Sequence, residues 1–311
     1  MIFSSTLASF LSVIPGLQWY AQSPPTHKSR TTILPLTFHL RHLHAISNSS
    51  QIIFHDVPSN SEAMSTREIQ ARRAIVHRPS SSKSFHRARL RSMYYSESEI
   101  LDWDEDEILG PDVTSRETLL ELAKMTNNAY VERSDPAWYS LGDHWNNDTL
   151  PFGWEPDADG FRGHIFVSED NSTVVLSIKG TSAGLFVGGG GPTVKKDKLN
   201  DNLLFSCCCA RVDWTWTTVC DCYSSYGKCD QICLERSLVE KSLFYPVGTN
   251  LYNNLTYLYP SANIWLTGHS LGGSLAALLG LTFGAPVVAF EAPAERLAAQ
   301  RLHLPSPVSH T

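Results

Sequence analysis

The sequence predicts an α/β fold: an incomplete, mostly parallel sheet with flanking helices, behind a polar and largely disordered N-terminal region. Three observations carry this. Hydrophobic residues make up 42% and aromatics 10% of the 311 residues, enough for a sizeable core. From about Thr114 onward, strand-like and helix-like runs alternate, the pattern of parallel strands joined by crossover helices. Before residue 110 that alternation is not visible.

The net charge of −6 argues against a nucleic-acid partner, since no face is expected to be broadly basic. No apolar run reaches about 18 residues, the length of a spanning helix. Residues 1–22 read as a weak signal or signal-anchor segment. They are apolar, but four serines, a threonine and a proline interrupt them, and no Lys or Arg stands at the front.

Residues 23–110 read as a largely disordered linker. A basic run, "HRPSSSKSFHRARLR", precedes an acidic one, "ESEILDWDEDEILG", an arrangement expected of a solvated segment whose halves pair loosely. The acidic run lacks EF-hand spacing, so no metal site is expected there.

A partial hydrolase-like domain is expected over residues 111–311. "TSRETLLELAKMTNNAY" is a helix, with Thr114 and Glu117 at capping-box spacing and Leu119, Leu122 and Ala123 on one face. "FRGHIFVSED" and "STVVLSIKG" are two β-rich runs around a polar turn, hence adjacent strands. "TSAGLFVGGGGPTVKKDKLND" breaks all periodicity and is expected to be a mobile loop. Helical sequence runs from about Leu234 to Tyr259. It is followed by a strand (264–267), a turn, a helix (271–283) and a strand (287–290).

A cysteine-rich insertion spans residues 207–233 and holds all seven cysteines: Cys207, Cys208, Cys209, Cys220, Cys222, Cys229 and Cys233. It has no C-x-x-C pair and no histidine, so disulfides are expected rather than a metal, and an odd count leaves one thiol over. Sequons stand at Asn48, Asn147, Asn171 and Asn254. With the clustered cysteines they point to an oxidising, secretory lumen.

The chemistry centres on "NIWLTGHSLGGSLAALLG", where Gly268, Ser270 and Gly272 match G-x-S-x-G. An apolar strand enters the motif and an Ala/Leu-rich helix leaves it, the setting of a nucleophile elbow. Ser270 is the candidate nucleophile. Gly268 and Gly272 leave room where a Cβ would strike neighbouring backbone. The Leu271 N–H, at a helix N-terminus, faces the oxygen that becomes negative during acyl transfer. The end of the strand before Gly180 supplies a second candidate donor, the Thr181 N–H with its hydroxyl. His269 adjoins the serine, and its side chain is expected to diverge from Oγ and to pack.

The segments "KGT", "IWLTGHSLGG", "TFGAPVVAFEAP" and "RLHLP" resemble the autophagy-related vacuolar lipases of fungi, a branch of the class 3 lipases within the α/β-hydrolases. The likeness runs from about Ser98 to Pro307, with a fainter echo at "TFHLRHLH". It implies an α/β-hydrolase fold and hydrolysis of triacylglycerols or phospholipids, with no cofactor and a lipid or membrane substrate. It implies Ser270 as nucleophile and Thr181 and Leu271 in the oxyanion hole. It also implies a type II glycoprotein of Golgi and multivesicular-body membranes that lyses autophagic bodies in the vacuole. A lid over the site would fall at about residues 183–205.

The resemblance places the catalytic acid and base beyond "LHLP". After Ser270 only Glu291, Glu295, His303 and His310 remain as acids or histidines, and a complete triad is not expected within these residues. Two alternatives follow: a catalytically dead, lipid-associated remnant, and a soluble esterase.

Overall fold

The computed structural model describes residues 34–46, 52–56, 67–131, 135–139, 161–168, 171–181, 194–206, 218–226, 228–242 and 244–307, with backbone alone before residue 70. These belong to the unit Thr32–Thr311; the other unit, Met1–Thr31, lies outside them, and so does the expected signal segment.

Among the described residues eight strands form one sheet: β1 (Leu34–Ile46), β2 (Ile52–Asp56), β3 (Arg67–Pro79), β4 (Trp103–Pro111), β5 (Gly163–Ser168), β6 (Thr173–Ile178), β7 (Asn263–His269) and β8 (Val287–Phe290). Their order is β4-β3-β1-β5-β6-β7-β8, with β2 beside β1. Only β6–β7 and β7–β8 pair in parallel; every other pair is antiparallel. The sheet is therefore mixed, not mostly parallel. The α/β alternation visible in the sequence governs β6 to β8, whereas hairpin-type pairings build the rest.

Seven helices among the described residues flank it: α1 (Ser82–Tyr95), α2 (Arg116–Asn128), α3 (Val194–Phe205), α4 (Gln231–Lys241), α5 (Phe244–Leu258), α6 (Leu271–Phe283) and α7 (Arg296–Arg301). β5 and β6 are buried along their whole length and carry Ile165, Val167, Val174, Leu176 and Ile178 into a core shared with α3 to α7. Phe166, Val175 and Trp265 point the other way and meet Leu122 and Met125 of α2. Alternation along a strand thus serves two cores, which is why these strands are apolar throughout.

The stretch expected as a disordered linker departs most from that expectation. Over residues 67–110 it folds into β3, α1 and β4, with β3 and β4 paired from Ala71↔Pro111 to Pro79↔Trp103. The basic residues of β3 meet the acidic run of β4: Arg73 with Glu107, Arg78 with Asp106 at 3.3 Å, and His77 with Glu105 at 3.8 Å. Such exposed pairs contribute about 0–1 kcal/mol each, so the backbone ladder and the buried flanks hold the hairpin. α1 starts at Ser81, whose side chain accepts from the Ser84 N–H, and it docks through buried Phe85 and Ala88. The Arg89 Nε donates to the Leu302 carbonyl at 2.6 Å.

Two local expectations shift. α2 is capped by Ser115, which accepts from the Thr118 N–H, not by Thr114, whose backbone and hydroxyl are taken by Asp112. Its inward face is Thr118, Leu122 and Met125, with Leu119 and Ala123 only partly covered. The glycine-rich loop also ends sooner than expected. Residues 182–193 lie outside the described residues, and 194–205 are helix α3, buried at Asp197, Asn200, Asn202, Leu203 and Leu204. A helix whose inward face is largely polar shows no apolar periodicity, which concealed it and removes half of the expected lid.

Cys222 and Cys233 form a disulfide, and Cys220 and Cys229 are disulfide-bonded too; Cys207, Cys208 and Cys209 lie outside the described residues. Among the described residues no helix is long and apolar enough to cross a membrane, and no cluster of metal ligands occurs.

Candidate active site

β7 enters and α6 leaves the turn at Ser270, which has φ 54° and ψ −129°. A positive φ at a non-glycine residue costs of order 1–3 kcal/mol, held here by its surroundings. The Ser270 N–H donates to the Phe290 carbonyl at 3.0 Å, and the Ser270 carbonyl accepts from the Ser274 N–H at 3.1 Å. Ser270 makes no side-chain cap to α6, and among the described residues its Oγ has no hydrogen-bond partner.

Close backbone approach explains the glycines. A Cβ on Gly268 would overlap the Gly272 carbonyl, and one on Gly272 would overlap the Ile178 carbonyl oxygen and stand 2.7 Å from Lys179 C. The end of β6 therefore lies against the first turn of α6. Gly180 is held the same way: a Cβ there would overlap the Tyr130 hydroxyl and the His269 carbonyl, and stand 3.3 Å from Gly272 N.

This contact brings the two candidate oxyanion donors to one place. Leu271 is fully buried at the start of α6, where first-turn amides lack intrahelical acceptors. Thr181 follows Gly180, and its N–H meets no acceptor among the described residues. Its hydroxyl is already committed, since it donates to Asp201 Oδ2 at 3.0 Å. Burial raises the Asp201 carboxyl above its ordinary range; the Thr181 hydrogen bond opposes this and the nearby Asp197 charge adds to it.

His269 turns away from the nucleophile as expected. Its Nδ1 lies 2.9 Å from the Tyr130 hydroxyl and its Nε2 3.4 Å from Glu291 Oε2. Burial pushes the Tyr130 phenol well above its ordinary value. A cleft of about 320 Å³ opens here, lined by Ala123, Thr126, Asn127, Tyr130, His269, Phe290 and Glu291.

A larger cleft of about 390 Å³ has Ser92, Trp103, His303 and Leu304 in its lining and none of the elbow residues. There Ser92 Oγ lies 2.9 Å from His303 Nδ1, and His303 Nε2 lies 3.3 Å from Glu235 Oε2. Hydroxyl, imidazole and carboxylate follow one another, yet Ser92 sits inside α1 with no strained turn and no helix N-terminus beside it. The strained strand-to-helix turn at Ser270, which Ser92 lacks, makes Ser270 the candidate nucleophile of the two.

Of the other sequence candidates, Asn171 is exposed at the β5–β6 turn with φ 58°, and Asn254 is exposed on α5. Asn48, Asn147 and His310 lie outside the described residues. Sequence reasoning missed Tyr130, Lys179, Asp197 and Asp201; only Lys179, within "KGT", carried any signal.

A mixed sheet with flanking helices and a strained serine between a parallel strand and a helix define an α/β-hydrolase fold of the class 3 lipase type. Residues 210–295 match the family model described as Lipase (class 3). The chain is 62% identical over 206 residues to the putative lipase ATG15 of Cryptococcus neoformans var. neoformans serotype D (strain B-3501A), a match covering 66% of this chain and 39% of that one. The namesakes from Mycosarcoma maydis and Candida albicans are 56% and 55% identical, each over 67% of this chain and over 39% and 36% of their own. The chain thus spans about two-fifths of the length of the curated relatives it matches. A solved structure, nonglycosylated Yarrowia lipolytica LIP2 lipase, matches 55% of each chain at 21% identity with a TM-score of 0.25, too low to bear on the assignment.

Residues 210–295 thus carry the class 3 lipase family's pattern, and over about two-thirds of its length the chain is similar to the ATG15-type putative lipases.

Proposed function

We propose that this protein hydrolyses the carboxylic esters of lipids, triacylglycerols or phospholipids, through an acyl-enzyme on Ser270. The observation that carries the reading is a serine at φ 54°, ψ −129° between β7 and α6 whose hydroxyl has no partner among the described residues.

In this reading Ser270 Oγ attacks the ester carbonyl carbon, and its proton passes to a general base. Charge gathering on the carbonyl oxygen is met by the Leu271 and Thr181 N–H groups; one such donor contributes about 10²–10³ in rate. The tetrahedral intermediate collapses, the alcohol leaves with a proton, and water then attacks the acyl-serine to release the acid. Among the described residues no imidazole is hydrogen-bonded to Ser270 Oγ: His269 meets Tyr130 and Glu291, and His303 meets Ser92 and Glu235.

The names of the relatives and the disulfides support a setting as well. The protein would pass through the secretory route as a glycosylated, membrane-anchored chain to multivesicular bodies. It would then lyse autophagic bodies and internal vesicles in the vacuole lumen.

The experiment is labelling of the full-length gene product with a fluorophosphonate probe, together with assays on triolein and phosphatidylcholine dispersions. Labelling and hydrolysis that vanish in Ser270→Ala are expected; a folded wild type that does neither overturns the reading. An endoglycosidase shift reduced in Asn171→Gln is expected of protein from its native cells, and unglycosylated protein there sinks the secretory setting.

A further inference from the structure

We propose that Lys179 is a positioning residue of the oxyanion hole: its ammonium fixes the Gly180–Thr181 peptide plane and thereby aims the Thr181 N–H. This deepens, and rests on, the reading of Ser270 as an acyl-transfer nucleophile.

Lys179 is buried at the end of β6, its side chain 2% exposed, and pairs at 2.6 Å with Asp197 of α3, 1% exposed. Its Nζ has a second role, donating to the carbonyl oxygen of the next residue, Gly180, at 2.9 Å. A peptide unit is planar and trans, so the Gly180 C=O and the Thr181 N–H point in opposite directions across one rigid plane. Fixing the carbonyl toward Lys179 fixes the N–H away from it. That N–H is the one without an acceptor among the described residues.

The rest of the strand end is fastened around this plane. Gly180 is packed against the Tyr130 hydroxyl and the His269 carbonyl, with no room for a Cβ. One turn after Asp197 on α3, Asp201 accepts from the Thr181 hydroxyl at 3.0 Å. Two aspartates on one helix face thus hold Lys179 and Thr181, and Lys179 in turn holds Gly180. The arrangement accounts for the buried Asp197 on the inward face of α3. An oxyanion donor contributes most when its direction is set before the charge develops, and a buried, charge-assisted hydrogen bond sets direction well.

Removing Lys179 alone would strand a buried carboxylate, so the test replaces both partners. A buried ion pair exchanged for apolar residues of similar volume commonly keeps its stability. The double variant Lys179→Met/Asp197→Leu is made in the full-length protein and compared with wild type in melting temperature and in kcat and KM on soluble p-nitrophenyl butyrate. A melting temperature near wild type, KM within about twofold and kcat lower by about 10- to 100-fold are expected, because only transition-state stabilisation is lost. A folded double variant with wild-type kcat overturns the proposal and leaves the hydrolase reading intact. If wild type itself shows no Ser270-dependent turnover, the hydrolase reading falls. A crystal structure of the double variant then decides: a rotated or disordered Gly180–Thr181 peptide is expected, and an unmoved plane overturns the positioning role.

Discussion

The Tyr130 hydroxyl lies 2.9 Å from His269 Nδ1 and 3.1 Å from the His269 carbonyl oxygen, which joins the segment after α2 to the residue immediately before the nucleophile. Tyr130→Phe keeps the ring and deletes these bonds. Leaving buried partners unsatisfied costs about 1–3 kcal/mol, so thermal or denaturant melts are expected to show a loss in that range. Fluorophosphonate labelling of Ser270 is expected to slow several-fold; an unchanged melt and labelling rate would contradict the role.

At Gly272 the obstacle to a side chain is backbone, the Ile178 carbonyl, which cannot swing aside. Gly272→Ala is expected to push β6 from α6 and separate the two donors, lowering kcat/KM on a soluble ester by about 10²-fold or more. Destabilisation of about 1–3 kcal/mol should accompany it. Ala276, buried in the same helix, is a useful contrast: Ala276→Gly should lower stability by about 1 kcal/mol with kcat maintained.

The Cys222–Cys233 bond closes a loop of sequence separation 11 against the main core. Closing a loop of this size contributes about 2–4 kcal/mol. Denaturant unfolding of the paired Cys222→Ala/Cys233→Ala variant should show a loss of that order, and reductant should lower the wild-type midpoint in the same direction.

Asp201 sets a pH dependence whose sign can be stated. Burial raises its folded-state pKa above the unfolded value of about 3.9, so between the two values the folded state binds more protons. Its contribution to stability therefore falls as pH rises through that window and recovers in acid. Asp201→Asn keeps an acceptor for Thr181 without the charge. Melts across pH 3–8 should show the variant gaining on wild type above the window and the two converging near its lower end.

The strand-turn-helix around Ser270 was legible in the sequence because its signals are local: glycines two residues either side of Ser270, an apolar strand before it and an apolar helix after it. β5 and β6 were legible as continuous apolar runs around a polar turn. β3 and β4 were not, since their alternating charges resemble solvated linker and only the pairing partner reveals the strands. α3 was hidden because Asp197 and Asn200 face inward, where Asn200 Oδ1 accepts from Ser242 Oγ and Phe244 N at 3.2 Å each. Lys179 meets Asp197 across a glycine-rich segment, and Tyr130 meets His269 from 139 residues away. Neither spacing has a periodic signature. Thr114 was the expected cap from its spacing to Glu117, but Asp112 engages its backbone and hydroxyl, and Ser115 caps the helix instead.

The charged hairpin also has a colloidal consequence. Among the described residues β4 is the last strand on its side of the sheet, where an unpaired row of amides and carbonyls would invite a foreign strand. Its first half carries Asp104, Glu105, Asp106 and Glu107, three of them paired with Arg73, His77 and Arg78 of β3, and a like strand arriving on the far side would bring further carboxylates against them. The acidity of this segment thus works as a fence that keeps neighbouring molecules from continuing the sheet.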